Sequence, residues 1–203
     1  LGLILLLINI SFSSAALTDG LVGHWKFDEG IGTTTADSSG NGNIGNLVNG
    51  PTWTTGKVGS GALSFDGANN YVNAQPFIIG TGAISVCAWV NQRPTGIRFE
   101  SIVHNVRFIF DTDNFFSPDF KLTFTSDGGA TTAASGSYNG ANVWVHACAS
   151  RNASGSANLY VNGAASGTAN QSSGTPADLG WNTGNSVHLS PVLSTKSTRR
   201  CRT

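Results

Sequence analysis

Residues 143–163 (VWVHACASRNASGSANLYVNG) constrain the fold more than any other stretch of the chain. Small and aliphatic side chains alternate with Trp, His and Cys over residues 143–148, which places each set on one face of a β-strand. Turn formers fill residues 151–156, and residues 159–161 (LYV) supply a return strand. The Asn-Gly dipeptide at 162–163 then favours a tight type I′ turn. The segment therefore predicts two paired strands and the start of a third, which need further sheet for stability.

Short apolar segments separated by Gly, Asn and Asp continue through the rest of the chain. The 26 glycines and the charged fraction of only 11% indicate a turn-rich chain, and no helical apolar pattern persists over three turns. Residues 21–27 (LVGHWKF) are predicted as the first strand, and residues 84–90 (ISVCAWV) as a strand buried on both faces. The chain is therefore predicted to be all-β, a sandwich or a jelly roll.

The chain begins with an apolar run at residues 1–8 (LGLILLLI), which small residues follow. This pattern predicts a secretory signal peptide over residues 1–16. Neither Met nor basic residues precede the run, so the sequence is expected to be N-terminally incomplete. A buried N-terminal strand is the alternative, and the run is too short to span a bilayer. The mature domain is expected to start near Leu17 and to be secreted, in the extracellular space or at the cell surface.

Charge is distributed unevenly along the chain. The formal net charge is zero, but four of the 11 basic residues lie within the last eight positions. The chain up to Thr195 therefore carries 7 basic against 11 acidic residues, a net charge of about −4. Binding to phosphates requires a clustered basic face on the folded body, so no nucleic-acid partner is expected.

Four segments of the chain together resemble the laminin-G-like domains of the concanavalin A-like lectin/glucanase superfamily. These segments are residues 21–49 (LVGHWKFDEGIGTTTADSSGNGNIGNLVN), 56–72 (GKVGSGALSFDGANNYV), 83–90 (AISVCAWV) and 159–163 (LYVNG). The resemblance covers roughly residues 20–187 and implies a single all-β domain, a two-sheet antiparallel jelly-roll sandwich, here assigned to residues 17–189.

The end of the chain departs from the family pattern, which closes with a further apolar strand near the first one. Here the apolar pattern fades after residues 187–189 (VHL), so the closing C-terminal strand is expected to be missing and one sheet edge to stay open. Residues 190–203 are predicted to be a basic tail without strand pattern. A frameshifted or truncated reading and a natural tail both account for it.

The segments ISVCAWV and WVHACASRNASGSANLYVNG are also similar to pentraxins, in which the two matching cysteines form a disulfide between neighbouring strands. The resemblance therefore implies a disulfide between Cys87 and Cys148. Both cysteines lie in apolar strands of a chain predicted to be secreted, where disulfides persist, and two buried free thiols are the alternative. Cys201 lies in the tail and is predicted to stay unpaired.

Motifs for catalysis are absent, although the superfamily also contains glucanases. Glycoside hydrolysis needs two carboxyl groups roughly 5–9 Å apart, and glucanases of this fold carry them in a Glu-x-Asp-x-Glu strand. The chain has only two glutamates, Glu29 and Glu100, and its one alternating acidic pair, Asp111 and Asp113, is predicted to lie in a solvated loop. Neither Gly-x-Ser-x-Gly nor His-Glu-x-x-His occurs. The domain is therefore predicted not to be an enzyme.

Residues 28–46 are rich in the oxygen ligands that Ca²⁺ prefers, with glycines that let backbone carbonyls turn inward. Some laminin-G-like relatives bind Ca²⁺, and their loops are similar to this one. The alternative is that the Asp and Asn side chains cap the segment's own turns. The predicted calcium ligands are Asp28, Glu29, Asp37, Asn41 and Asn43.

Exposed aromatic and amide side chains would suit a glycan, because aromatic rings stack on sugar rings and amides bond to hydroxyl groups. Trp25, Trp89 and Trp144 lie in predicted strands and are expected in the core. The predicted ligand-binding residues are Trp53, Asn69, Asn70 and Tyr71.

The sequence as a whole thus predicts a secreted, non-catalytic binding module. A carbohydrate or glycoconjugate, assisted by Ca²⁺, is the first expected ligand. A protein–protein adhesion or structural module of a larger extracellular protein is the alternative, because one sandwich fold serves many functions. The expected partner is therefore a glycan or an extracellular protein, with no membrane span.

Overall fold

The computed structural model describes residues 20–74, 83–91, 99–105, 108–113, 119–126, 129–133, 142–152, 156–169, 187–189 and 193–194. Within these ranges the chain forms β-strands and no helix, so none of the described residues belongs to a helix that could cross a membrane. The strands are β1 (Thr34–Thr35), β2 (Gly45–Val48), β3 (Thr52–Thr54), β4 (Ala62–Ser64), β5 (Tyr71–Ala74), β6 (Ile84–Asn91), β7 (Phe99–Asn105), β8 (Phe108–Asp113), β9 (Asp119–Ser126), β10 (Gly129–Ala133), β11 (Trp144–Arg151), β12 (Ala157–Val161), β13 (Ala164–Ala169), β14 (Val187–Leu189) and β15 (Leu193–Ser194).

The strands form two large sheets and one small ribbon. The larger sheet has the order β1-β2-β5-β14-β7-β8-β9-β10, the second has the order β13-β12-β11-β6-β15, and β3 pairs with β4. Each described pairing is antiparallel. The prediction of an all-β antiparallel sandwich is therefore confirmed, with the ribbon as an addition.

The hairpin predicted from residues 143–163 forms the centre of the five-stranded sheet. β11 pairs with β12, and β12 turns back into β13. Asn162 and Gly163 have φ angles of 51° and 83°, the positive values that a type I′ turn requires at both central residues. The prediction of two paired strands and a third is therefore confirmed.

Strand β6 is buried on one face only. Ala88 and Val90 are 1% and 2% exposed and lie in the core, whereas Cys87 and Trp89 on the opposite face are partly exposed. The prediction that this strand is buried on both faces is wrong. An apolar run indicates burial but does not say whether one face or both are covered.

The hydrophobic core joins the inward-facing residues of β6, β11 and β12 to those of β4 and β5 and to Trp25 and Phe27. Fully burying a large apolar side chain contributes about 1.5–3 kcal/mol, so these residues supply much of the stability of the sandwich. The largest fully buried side chains are Phe27, Phe65, Leu63, Leu159, Val72 and Val90.

Residues 21–27 do not form the strand that the sequence suggested. Their one bridge joins Trp25 to Asp37, and Phe27 has a φ angle of 56°, which breaks an extended path. Phe27 is nevertheless fully buried, and Gly61 lies so close to its carbonyl oxygen that an added Cβ would overlap it. The segment therefore enters the core as irregular backbone.

Two further corrections concern the second half of the chain. Asp111 and Asp113 lie in strand β8 rather than in a solvated loop. The prediction that no strand follows Leu189 is also wrong, because Leu193 and Ser194 pair with Val90 and Trp89 at the edge of the five-stranded sheet. The predicted signal peptide at residues 1–16 and the last nine tail residues, with Cys201, lie outside the described residues.

Candidate functional site

Asp37 is a hydrogen-bonding centre of the predicted calcium segment. Its Oδ1 accepts from the backbone N–H groups of His24 (2.9 Å) and Ser39 (2.8 Å), and its Oδ2 accepts from Ser39 Oγ (2.7 Å) and the N–H of Asn43 (3.0 Å). Burial would raise the pKa of this carboxyl group, but the hydrogen bonds from Ser39, His24 and Asn43 outweigh it. The pKa of Asp37 therefore lies below its ordinary value.

The neighbouring carboxylates hold other parts of the backbone. Asp28 Oδ1 accepts hydrogen bonds from the N–H groups of Ser60 (2.7 Å) and Gly61 (3.1 Å). Glu29 Oε1 accepts from the N–H of Ala36 (2.8 Å). Each carboxylate thus fixes a different turn.

The two predicted amide ligands bond to the irregular N-terminal segment. The side-chain amide of Asn41 donates to the carbonyl oxygen of Leu21 (2.8 Å), and that of Asn43 donates to Val22 (2.8 Å). The Trp25 indole N–H in turn donates to the carbonyl oxygen of Asn43 (2.6 Å). These contacts satisfy backbone carbonyls that a sheet ladder would otherwise satisfy.

All five predicted calcium ligands thus take part in hydrogen bonds. Those of Glu29 and several of those of Asp37 lie within the segment, as the alternative interpretation expected, whereas Asp28, Asn41 and Asn43 bond to backbone outside it. Among the described residues, the group of three or more His, Cys, Asp or Glu side chains positioned for a metal ion is Cys87, His146 and Cys148, not these carboxylates. Calcium binding at residues 28–46 stays a prediction.

Trp53, one of the predicted ligand-binding residues, lies in the two-stranded ribbon. Its ring is partly buried and packs against the hydrophobic core, and its indole N–H donates to the carbonyl oxygen of Gly32 (3.0 Å). The structure therefore gives Trp53 a packing role, and its predicted role in ligand binding stays untested.

The other predicted ligand-binding residues lie at the start of β5. Asn70 Oδ1 accepts from the N–H of Asp66 (2.9 Å), and Asn70 Nδ2 donates to the carbonyl oxygen of Asn49 (2.6 Å). The amide of Asn49 donates to the carbonyl oxygen of Asn69 (2.8 Å). Asn69, Asn70 and the partly buried Tyr71 are consecutive in sequence. The bonds join Asn69 and Asn70 to Asn49.

A different surface lies on the side of the five-stranded sheet that faces away from the core. We call it the outer aromatic face and define it by Trp89, Trp144, His146 and Tyr160, each of which is partly exposed. His146 lies opposite Trp89 in the ladder, and their ring centroids are 5.1 Å apart at an interplanar angle of 44°. The prediction that Trp89 and Trp144 are core residues is wrong, whereas Trp25 is in the core.

Polar side chains accompany the aromatic residues. Asn91 lies opposite Trp144, and Asn158 and Ser85 both lie opposite Ser150. The Asn162 side chain accepts from the N–H of His146 (2.9 Å), which fixes the edge of the face. Apart from His146, the residues that alternation places on this face of β6, β11 and β12 carry no acidic or basic group. The face is therefore aromatic, amide-bearing and neutral.

The predicted disulfide lies at the centre of this face. Cys87 and Cys148 are bonded, with their Cα atoms 4.1 Å apart at directly opposite ladder positions. Tyr160 lies opposite Cys148 on the other side. The prediction of the Cys87–Cys148 disulfide is confirmed.

A signal for the outer aromatic face was present in the sequence. A bond between Cys87 and Cys148 fixes the register of β6 against β11, because directly opposite residues share a face. That register places His146 opposite Trp89 and Trp144 opposite Asn91. The disulfide implied by the resemblance, combined with strand alternation, therefore places both tryptophans on the face of the cysteines, and the structure shows that this face is the outer one.

Comparison with known protein families identifies the superfamily of the chain. A family profile described as the concanavalin A-like lectin/glucanases superfamily matches residues 66–191. The chain belongs to this superfamily. The resemblance to laminin-G-like domains is thereby confirmed. No curated protein matches the sequence.

Several solved structures share the fold of this chain. The binding domain of Paraclostridial Mosquitocidal Protein 1 matches 90% of this chain at 14% identity and a TM-score of 0.69. Domain 4 of AbnA, an extracellular arabinanase from Geobacillus stearothermophilus solved in complex with arabinotriose, matches 85% of this chain and 86% of its own length at 15% identity and a TM-score of 0.64. The binding domain of Botulinum Neurotoxin DC in complex with SialylT matches 88% of this chain at 14% identity and a TM-score of 0.65.

The matched lengths differ between these relatives. The chain spans 46% of the mosquitocidal binding domain and 45% of the neurotoxin binding domain, but 86% of the arabinanase domain. At 14–15% identity these matches establish the shared sandwich and nothing about a ligand of this chain.

Proposed function

We propose that this domain is a non-catalytic module that binds neutral carbohydrate through the outer aromatic face. The observation that carries the proposal is the juxtaposition of Trp89, His146 and Trp144 on one sheet surface that faces away from the core. Partly exposed aromatic rings on a rigid sheet are suited to the C–H faces of sugar rings, whose partial positive charge complements the negative π-face.

The polar residues of the face support the same ligand class. Asn91 and Asn158 are partly exposed amides, and an amide can both donate to and accept from sugar hydroxyl groups. The described residues of the face include no fixed cation that could pair with a sialic acid or phosphate. Neutral oligosaccharides are therefore favoured over acidic ones.

The structural relatives support a binding module without deciding its ligand. Domain 4 of AbnA was solved with arabinotriose, and the neurotoxin binding domain with SialylT. Arabinotriose is a neutral sugar, the class of ligand that the neutral face favours.

The absence of catalysis is part of the proposal. Among the residues whose side chains the structure describes, the carboxylates Asp28, Glu29 and Asp37 each accept hydrogen bonds from separate backbone amides. Glycoside hydrolysis needs one protonated and one ionised carboxyl group that face a common bond. The hydrogen bonds stabilise the ionised form of Asp37, which does not suit it to the role of general acid.

We also propose that the module works outside the cytoplasm. The Cys87–Cys148 disulfide supports this location, because disulfides persist in oxidising compartments. Calcium at residues 28–46 remains a separate proposal, which unfolding experiments test. The residues Trp53, Asn69, Asn70 and Tyr71 are the alternative location of the sugar site, and a Tyr71 variant tests that alternative against the outer aromatic face.

Protein binding is the second candidate function. Ile31 is 81% exposed and Val143 is 55% exposed, and exposed aliphatic side chains of this kind suit a protein partner better than a sugar. Another structural relative, the binding domain of Botulinum neurotoxin DC, was solved in complex with rat synaptotagmin II.

A binding screen tests the first candidate. The full chain is applied to an immobilised panel that contains arabinotriose, other neutral oligosaccharides and sialylated oligosaccharides, with tryptophan fluorescence as a second readout in solution. We expect retention on neutral sugars and a change in fluorescence, since two tryptophans line the face. Retention on no sugar, or on sialylated sugars alone, would contradict the proposal.

A further inference from the structure

Cys87, His146 and Cys148 form a compact group of soft ligand atoms on the outer aromatic face. One ligand atom from each residue lies within 4.8 Å of the others, and Cys148 Sγ is 3.9 Å from His146 Nδ1 and 3.8 Å from Nε2. The three residues are on the same face because Cys148 is two positions from His146 and lies opposite Cys87. We propose that the reduced form of this domain binds Zn²⁺ through the two thiolates and the imidazole, so that the disulfide and the metal are alternative occupants of one site.

The spacing of these atoms fits a tetrahedral zinc ion. Zinc lies about 2.3 Å from thiolate sulfur and about 2.1 Å from imidazole nitrogen, so a sulfur and a nitrogen bound to one tetrahedral ion are about 3.6 Å apart. The Cys148–His146 distance of 3.8 Å is already close to this value. By the same geometry two sulfurs bound to one ion are about 3.8 Å apart. After reduction, the two sulfur atoms therefore need only move apart to that distance.

The backbone holds the ligands together after the disulfide is reduced. Eight consecutive residue pairs join β6 to β11, from Trp144 opposite Asn91 to Arg151 opposite Ile84. The ladder therefore continues on both sides of the cysteine pair, whose Cα atoms are 4.1 Å apart. Metal binding then requires side-chain rotation rather than formation of a new fold, and a preformed site costs less ordering entropy.

The exposure of the group allows a metal to enter. Cys148 is buried, but Cys87 and His146 are partly exposed, so one side of the group faces solvent. Three protein ligands and an open fourth position are the arrangement in which zinc also holds a water molecule. Two thiolates and an imidazole select zinc over Ca²⁺ or Mg²⁺, which prefer oxygen ligands. The site is thus chemically distinct from the calcium site predicted at residues 28–46.

The chemical step is a two-electron reduction followed by metal binding. A dithiol reductant transfers two electrons and two protons to the Cys87–Cys148 bond and is itself oxidised to a disulfide. The two thiols then release their protons to solvent as Zn²⁺ binds the thiolates and neutral His146. Reoxidation would expel the ion, because the sulfur atoms of a disulfide are poor ligands.

Cobalt spectroscopy on the full chain tests the proposal. The background variant Cys201→Ser removes the third thiol, and a phosphine reductant opens the disulfide as it is oxidised to the phosphine oxide by oxygen from water. We expect one equivalent of Co²⁺ to produce thiolate-to-cobalt charge-transfer bands that Zn²⁺ abolishes. The oxidised protein and a Cys87→Ser/Cys148→Ser variant should show neither.

Histidine variants separate this site from adventitious thiol binding. His146→Ala should weaken zinc affinity at least about tenfold, as measured against a chromophoric chelator. His24→Ala is the matched control and should leave the affinity unchanged, because His24 lies outside the group. Equal affinity in the His146→Ala variant, or the absence of charge-transfer bands in the reduced protein, would overturn the proposal.

Circular dichroism tests the proposal in the case that the reduced chain unfolds. Metal binding is then coupled to folding, and Zn²⁺ should restore the β-sheet signal of the reduced protein. Failure of Zn²⁺ to restore that signal would also overturn the proposal. None of these readouts depends on carbohydrate binding, so the two proposals can fail separately.

Discussion

Replacement of Asp37 by Asn removes charge and one acceptor oxygen from the centre of the 28–46 segment. The wild-type carboxylate accepts from two backbone N–H groups through Oδ1 and from Asn43 N–H and Ser39 Oγ through Oδ2. An amide retains one acceptor oxygen, so the Asn43 N–H loses its partner and the remaining bonds become neutral. Bonds to a charged group contribute about 1.5–3 kcal/mol and neutral bonds about 0.5–1.5 kcal/mol.

At pH 7 we expect Asp37→Asn to lower the free energy of unfolding by about 2 kcal/mol. This value is toward the low end of the combined loss from these bonds, because water reaches this half-exposed segment. The pH dependence follows from the lowered pKa of Asp37. Its stabilising effect is complete above the ordinary value of 3.8 and is lost as the pH falls through the lower pKa of the folded state. The difference between wild type and variant should therefore shrink below pH 3.8.

Urea unfolding of both proteins at pH 7, 5, 4 and 3 in excess chelator measures this difference without a contribution from bound cations. A variant that is as stable as wild type at pH 7 would refute the hydrogen-bond argument. A difference that stays constant down to pH 3 would refute the assignment of the effect to the ionised carboxylate.

Three further changes test the rest of the account by thermal or urea unfolding. Leu159→Ala empties a core position that is 1% exposed and should cost about 2–5 kcal/mol, and a smaller cost would place Leu159 outside the core. Cys87→Ser/Cys148→Ser opens a loop with a sequence separation of 61 and should cost about 4 kcal/mol by chain entropy, whereas unchanged stability would argue against the disulfide. Calcium at about 100 times its dissociation constant should add about 2.7 kcal/mol if the 28–46 segment binds it, and an unchanged melt with chelator would remove that proposal.

The hairpin was predictable for local reasons, and the disulfide was predictable from the family resemblance. Alternation over residues 143–148 and the Asn162-Gly163 turn act over short distances, so the sequence carries them directly. The pairing of Cys87 with Cys148 came from the family resemblance, and it also carried the register between two strands that are distant in sequence.

The wrong predictions arose where the sequence pattern was compatible with two different structures. Residues 21–27 have strand-like composition, but the side chains of Asn41 and Asn43 satisfy their carbonyl groups from a distance, which no local pattern reveals. Hydrophobicity alone also assigned the wrong residues to the core. In β11, Arg151 is only 8% exposed while Trp144 is partly exposed, because position in the alternation decides the face before hydrophobicity does.

The calcium prediction shows a different limit. The same Asp and Asn residues serve as turn caps or as ion ligands, since both roles need oxygen atoms near backbone turns. Composition therefore located a structured segment at residues 28–46 but did not separate the two chemistries.

Titration calorimetry with a neutral oligosaccharide that the screen retains is the most direct test of carbohydrate binding at the outer aromatic face. Trp89→Ala should weaken binding at least about tenfold, equivalent to about 1.4 kcal/mol, with an unchanged fold by circular dichroism. Tyr71→Ala is the matched control at the surface predicted from sequence and should leave the affinity unchanged. Loss of binding in Tyr71→Ala with full binding in Trp89→Ala, or no binding by the wild-type protein, would contradict the account.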